Sequence, residues 1–217
     1  MNLNKTENTA VLGIFLALTG LIAALILAFF ANITEKPIAQ AAAAKANKSL
    51  ASLMPPFKSK KTAVFNKITF TGVYDEKGII LAVAGETSVK GYGGDIRTLT
   101  GMNPDGSIRH VIVLENNETP GLGSNVCVRK EQKTLKYLFS SKKKDSALAP
   151  NRILDYYSGK SVTDGTPWKV ARDGGDCPYI TGATVSSRAL CKAVYDIVSV
   201  YSQNIQTVQE LLKKEDK

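Results

Sequence analysis

Residues 10–31 form a run of 22 residues without a charged side chain, and no other feature narrows the possible folds as much. A helix needs about 20 apolar residues to cross the hydrocarbon core of a bilayer. Gly13, Thr19 and Gly20 are small enough to let another helix pack closely. A cleaved signal peptide would carry an apolar core of only about 7–15 residues, with a small-x-small triplet close behind it. Here the nearest such triplet, Ala39-Gln40-Ala41, comes late. The run therefore reads as an uncleaved transmembrane helix at 10–31 behind a polar lead at 1–9, and a single-pass protein in contact with the lipid bilayer is expected. Lys5 is the only basic residue ahead of the span, whereas Lys36, Lys45 and Lys48 follow it. That count weakly favours the C-terminal part in the cytoplasm.

Beyond the span the chain is long enough for one domain with a sizeable core. Residues 32–60 read as a helical stalk or linker: 38–54 is rich in Ala and Lys, and Pro55-Pro56 ends it. The main domain is expected at 61–203. Residues 68–74 alternate, Asp75-Glu76-Lys77-Gly78 turns, and 79–83 returns. A second hairpin follows, with strands at 95–102 and 107–115 around Asn103-Pro104-Asp105-Gly106. The spacing predicts one twisted antiparallel sheet. A short helix is expected at 152–157, a last strand at Pro167-Trp168-Lys169-Val170, and a polar helical tail at 204–217 that frays at its charged end. The fold class is α+β: one transmembrane helix, then a single domain whose sheet is flanked by helices.

The stretch with the most chemistry is Tyr179-Ile180-Thr181-Gly182-Ala183-Thr184-Val185-Ser186-Ser187-Arg188. Small residues give way to hydroxyls and then to the apolar-periodic run Leu190, Val194, Ile197, Val198, Tyr201, so the stretch reads as a loop opening a helix. The first turn of a helix has unpaired N–H groups and the positive end of the macrodipole, which suits a phosphate held after Thr184. Ser186, Ser187 and Arg188 could add donors and charge. Gly182 and Ala183 would leave the Thr184 hydroxyl open to a bulky partner. Equally, Thr184 could be an N-cap, with Gly182 and Ala183 there for close packing.

Thr181-Gly182-Ala183-Thr184-Val185-Ser186-Ser187 resembles the flavinylation motif of the FMN-binding domain family, which includes the G subunit of Rnf complexes and the C subunit of sodium-translocating NADH:quinone reductases. In that family the final Thr carries FMN through a phosphoester. The resemblance puts that role on Thr184, with Thr181, Gly182, Ala183, Val185, Ser186 and Ser187 around it. Upstream, the run from Val113 through Glu118-Thr119-Pro120-Gly121-Leu122-Gly123 is similar to the family's strand and turn. Glu118, Thr119, Gly121, Leu122 and Gly123 are the candidates for lining the flavin ring. Taken alone, Pro120-Gly121 and Gly123 are only a turn signal. One departure is visible: the family usually has an acid three residues before the small hydroxyl, where this chain has Pro178, with Asp176 two further back.

The resemblance implies two stages. A separate flavin transferase using FAD and magnesium would esterify FMN to Thr184 and release AMP. The carrier would then pass electrons between redox centres of a membrane complex, with the other subunits as partners. Short length and the form of the turn favour the G subunit of an Rnf complex, in ion-coupled transfer between ferredoxin and NAD, over the C subunit of the quinone reductase or another FMN-binding electron-transfer protein. The chain would be an electron-transfer subunit of a translocase, without catalytic residues of its own. The family also implies a cytoplasmic-membrane protein with its domain on the extracytoplasmic face, against the weak sign of the basic residues. From a different class, the rival is a single-pass adaptor without flavin.

Other features are less specific. Gly91-Tyr92-Gly93-Gly94 could admit a flat ring close to the backbone or be a flexible loop. His110 is the only histidine; it stands in an alternating strand, and one histidine cannot assemble a multi-histidine metal site. Cys127, Cys177 and Cys191 include no Cys-x-x-Cys pair, which argues against a cluster or structural zinc within this chain. Outside the cytoplasm two of them could pair. Cys177 with Cys191 would bracket Thr184, but connectivity cannot be deduced from sequence. The net charge of +9 is spread along the chain, with a lysine-rich stretch at 127–160 that includes Lys142-Lys143-Lys144. This suits a solvated face, an anionic lipid or an acidic partner, and no motif accompanies it that would make nucleic acid a partner. Trp168 could stack near a flavin, with core packing the stronger reading.

Overall fold

A computed structural model describes residues 4–129, 148–165 and 167–214. The Lys142-Lys143-Lys144 run and the last residues of the expected tail lie outside the described residues. Contacts divide the chain into Met1–Ala46 and Asn47–Lys217.

Helix α1 (Asn4–Leu53) supplies nearly all of the first unit. From Val11 to Ile38 its large apolar side chains stand in the open, from Ile22 at 48% to Leu27 at 70% exposed. A helix apolar on every side needs an apolar surrounding, and this one is long and apolar enough to cross a membrane. Its hydroxyls close on the helix itself: Thr19 Oγ1 donates to the Leu16 carbonyl at 2.9 Å and Thr34 Oγ1 to that of Phe30 at 2.7 Å. Span and stalk, read separately from the sequence, form one helix that runs through Pro37. Proline forfeits one backbone bond but does not end a helix held by its neighbours on both sides.

The second unit is built on a five-stranded antiparallel meander in the order β1-β2-β3-β4-β5. Its strands are β1 (Ser59–Phe65), β2 (Ile68–Tyr74), β3 (Ile80–Lys90), β4 (Asp95–Met102) and β5 (Ile108–Glu115). β1 lies partly within the segment read as stalk, where Leu50, Leu53 and Met54 are also buried. It is an edge strand with Lys60 exposed and Lys61 half-buried, and such charges blunt an edge while hiding its alternation. β3 runs seven residues past the expected end at 83. Gly85 breaks the apolar pattern because a Cβ there would collide with Ile197 of the helix that covers the sheet.

That helix is α4 (Thr184–Gln203), which follows the short α2 (Gly123–Cys127) and α3 (Arg152–Asp155) and precedes α5 (Ile205–Lys214). Leu190, Val194, Ile197, Val198 and Tyr201, the periodic run of the sequence, are all fully buried against the sheet, alongside Phe70, Val83 and Ile96. The expected strand at 167–170 does not form. Among the described residues it is reduced to a single parallel bridge, Val170 to Cys177, beside the 3-10 turn Ala171–Asp173. Trp168 stacks on Tyr157, with ring centroids 6.1 Å apart and planes within 11°, and packs at 5.8 Å against Tyr195. Its role is core packing.

Candidate functional site

The two sequence motifs, 61 residues apart when counted from Thr184 to Gly123 along the chain, meet across one cleft of about 500 Å³. One wall is the first turn of α4. Gly182 takes the left-handed conformation at φ +84°, turning the chain so that Ala183 becomes the N-cap and Thr184 the first helical residue. The first intrahelical bond runs from Ser187 N to the Ala183 carbonyl at 3.0 Å. The amides of Thr184, Val185 and Ser186 precede it, and a helix has no internal partner for them. Thr184 is therefore not the cap. Its Oγ1 accepts a hydrogen bond from Arg172 Nη1 at 3.1 Å. With 9% of its surface exposed, Thr184 is more enclosed than the small flanking residues suggest, because Arg172 lies over its hydroxyl.

Arg172 is held there indirectly. Arg188, on the next turn of α4, grips Asp173 with two bonds of 2.7 and 2.6 Å and so fixes the 3-10 turn that carries Arg172. The Arg188 bond, with help from the charges of Arg188, Arg172 and Lys169, holds the Asp173 carboxyl below the usual carboxylate range. The same bond raises the pKa of Arg188. The charge of Arg188 is thus spent on Asp173, leaving Arg172 as the cation at the Thr184 hydroxyl.

The opposite wall is organised by Glu118. This buried carboxylate accepts the backbone N–H groups of Tyr92 at 2.8 Å and Gly93 at 3.3 Å on one oxygen, and the Ser186 hydroxyl at 2.5 Å on the other. It joins the β3–β4 loop, the 118–123 turn and α4 in one knot. The space around it admits no extra atom: a Cβ at Gly91 or Gly123 would run into the carboxylate. Cys127 lies behind this wall, and burial, then the Glu118 charge, push its thiol up to about 12.

Glu118, Thr119, Leu122, Gly123, Gly182, Ala183, Thr184, Val185 and Ser186 all line the cleft. Three candidates do not. Ser187 turns inward, donating to the Ala183 carbonyl at 2.9 Å and accepting from Ile180 N at 3.3 Å. Gly121, at φ +81°, shapes the turn, and Thr181 is exposed outside the lining. Tyr92, 74% exposed, stands at the rim, so the glycine loop does reach the site. Arg172 has no signal in the sequence beyond its place before Asp173-Gly174-Gly175; only the fold brings it to Thr184.

A sequence profile of the FMN-binding domain matches residues 91–199, a span that holds every residue of this cleft. The G subunit of the ion-translocating oxidoreductase complex of Cereibacter sphaeroides is 30% identical over 203 residues, covering 88% of this chain and 84% of that one. The corresponding protein of Vibrio atlanticus is 37% identical over 120 residues, 54% of this chain and 48% of its own. Among solved structures, NqrC of Shewanella oneidensis is similar at a TM-score of 0.43 and 17% identity, covering 69% of this chain and 70% of its own.

Proposed function

The chain belongs to the FMN-binding domain family, among the G subunits of ion-translocating oxidoreductase complexes, and from that premise we propose that it is the membrane-anchored flavoprotein of an Rnf-type complex, with FMN esterified to Thr184. One observation carries the reading: the Thr184 hydroxyl faces a cleft at the open amides of a helix N-terminus, with the Arg172 guanidinium 3.1 Å away. Amides at a helix start and a guanidinium are the donors a phosphate requires. The cleft volume falls within the range of about 300–1,000 Å³ that small-molecule sites occupy. Tyr92, Leu122 and Val185 present exposed apolar surface at its edges, suited to a flat ring.

In this reading Arg172 and the amides of Val185 and Ser186 hold the phosphate, and Glu118 fixes the two loops that border the ring. Bound FMN supplies one- and two-electron transfer, relayed between ferredoxin and NAD by way of the other subunits of the complex. Maturation requires a flavin transferase acting on FAD with magnesium. Thr184 Oγ1 loses its proton and forms a bond to phosphorus as the bond to the AMP leaving group breaks. Because Arg172 covers that oxygen, its side chain swings aside to admit the transferase and returns to neutralise the phosphate. The domain lies on the extracytoplasmic side, where covalent attachment keeps the carrier from being lost, and the apolar part of α1 sits in the lipid bilayer.

The test is intact mass and in-gel flavin fluorescence of wild type against Thr184→Ala, each expressed with a flavin transferase. The expected result is a wild-type mass raised by one FMN, with fluorescence that survives denaturation and is absent from Thr184→Ala. An unmodified wild type, beside a control substrate modified by the same transferase, would overturn the covalent reading.

A further inference from the structure

Two of the three cysteines are in contact. Cys191, two turns into α4, donates its S–H to Cys177 at a sulfur separation of 3.2 Å, and both side chains are fully buried. Neither belongs to the cleft. A disulfide has a sulfur separation of about 2.05 Å, so closure requires a movement on the order of 1 Å. The backbone at Cys177 is already held, with Cys177 N donating to the Lys169 carbonyl at 3.0 Å and Ala171 N to the Cys177 carbonyl at 2.8 Å. These two bonds bracket the turn that carries Arg172 and Asp173.

We propose that Cys177 and Cys191 close an intramolecular disulfide in the presence of a disulfide-class oxidant, leaving Cys127 a thiol, and that the bond staples the Ala171–Asp173 turn to α4. The S–H of Cys191 points at Cys177 and, as the leading cause, lowers the Cys177 pKa while raising that of Cys191. Cys177 is therefore the sulfur that ionises and attacks first, once a local opening of its segment lets the buried thiol meet the oxidant. It displaces one thiol from the external disulfide and forms a mixed disulfide. Cys191 then loses its proton and attacks the Cys177 sulfur, releasing the second thiol. Two protein thiols are oxidised and one external disulfide is reduced to two thiols. In the cell this rests on the extracytoplasmic placement proposed above, since such bonds persist in oxidising compartments; the chemistry itself is independent of flavin.

The experiment uses the purified full-length chain, made without a flavin transferase, equilibrated with oxidised glutathione and then alkylated in denaturant. Expected are one alkylated cysteine, Cys127, a loss of two hydrogens in intact mass, and a cross-linked Cys177–Cys191 peptide. Cys177→Ser should abolish the internal bond and leave Cys127 and Cys191 open to alkylation or glutathione. Amide exchange across residues 169–177 should slow by about tenfold on oxidation, as expected when a local opening is restrained. Three alkylated thiols, or glutathione held on Cys177 with no internal bond, would overturn the proposal. A chain that accepts FMN on Thr184 yet keeps three thiols would overturn the disulfide alone.

Discussion

The two walls of the cleft are built on opposite principles. On the Glu118 side a buried carboxylate is saturated by two amides and a hydroxyl, and the glycines beside it leave no room for a methyl group. On the Thr184 side, Arg172, Asp173 and Arg188 are exposed residues meeting near solvent, where Arg188 pairs with Asp173 and Arg172 bonds a hydroxyl rather than a backbone. Buried polar groups cost heavily when left unmatched, whereas exposed ion pairs contribute little. The first wall should therefore carry stability, and the second the chemistry of an anionic ligand. Substitutions can separate the two.

The largest effect is expected at Glu118. Alanine there leaves the Tyr92 and Gly93 amides and the Ser186 hydroxyl without their acceptor, a loss of about 3 kcal/mol or more in chemical denaturation. Glu118→Gln should recover at least half of it, because an amide oxygen can accept from the loop in place of the carboxylate. An alanine variant within about 0.5 kcal/mol of wild type would erase the contrast between the walls.

Arg172→Ala should leave stability within about 0.5 kcal/mol, as for a surface side chain. In a Thr184→Val background it should weaken reversible FMN binding about tenfold, the scale of one charge-assisted hydrogen bond. A flavin fluorescence titration measures this, and unchanged affinity would remove Arg172 from the phosphate role.

The smallest effect belongs to the Asp173–Arg188 pair. The folded pKa of Asp173 lies below its ordinary value of 3.8, so its contribution is present above that value and is lost as pH falls through the folded pKa. Asp173→Asn should flatten a slight acid-side decline in melting temperature and reduce FMN affinity less than Arg172→Ala does. A larger loss than that of Arg172→Ala would mean that the turn, and not the guanidinium, is the binding element.

Much of this was legible from local pattern. β2 and β4 occupy the expected residues, and Thr184 opens the expected helix with every periodic apolar residue turned to the sheet. What was missed is specified by contacts distant in sequence. β1 hides behind the charges of Lys60 and Lys61, and β3 continues through Gly85 only because α4 crosses there. Ser187 carries the same hydroxyl as Ser186, yet one bonds back to the Ala183 carbonyl and the other reaches Glu118 across the cleft wall.

The sequence by itself determined the membrane-spanning length of α1, the α+β alternation and the position of Thr184 at a helix opening, because each depends on a period or a run shorter than one element. Only the tertiary structure decided that Glu118 is the acceptor joining three segments, that Arg172 lies on Thr184, and that Cys191 meets Cys177. These are pairings between side chains separated by 12, 14 and 68 residues. Sequence spacing carries no information about such contacts until a packed sheet and helix bring the partners within bonding distance.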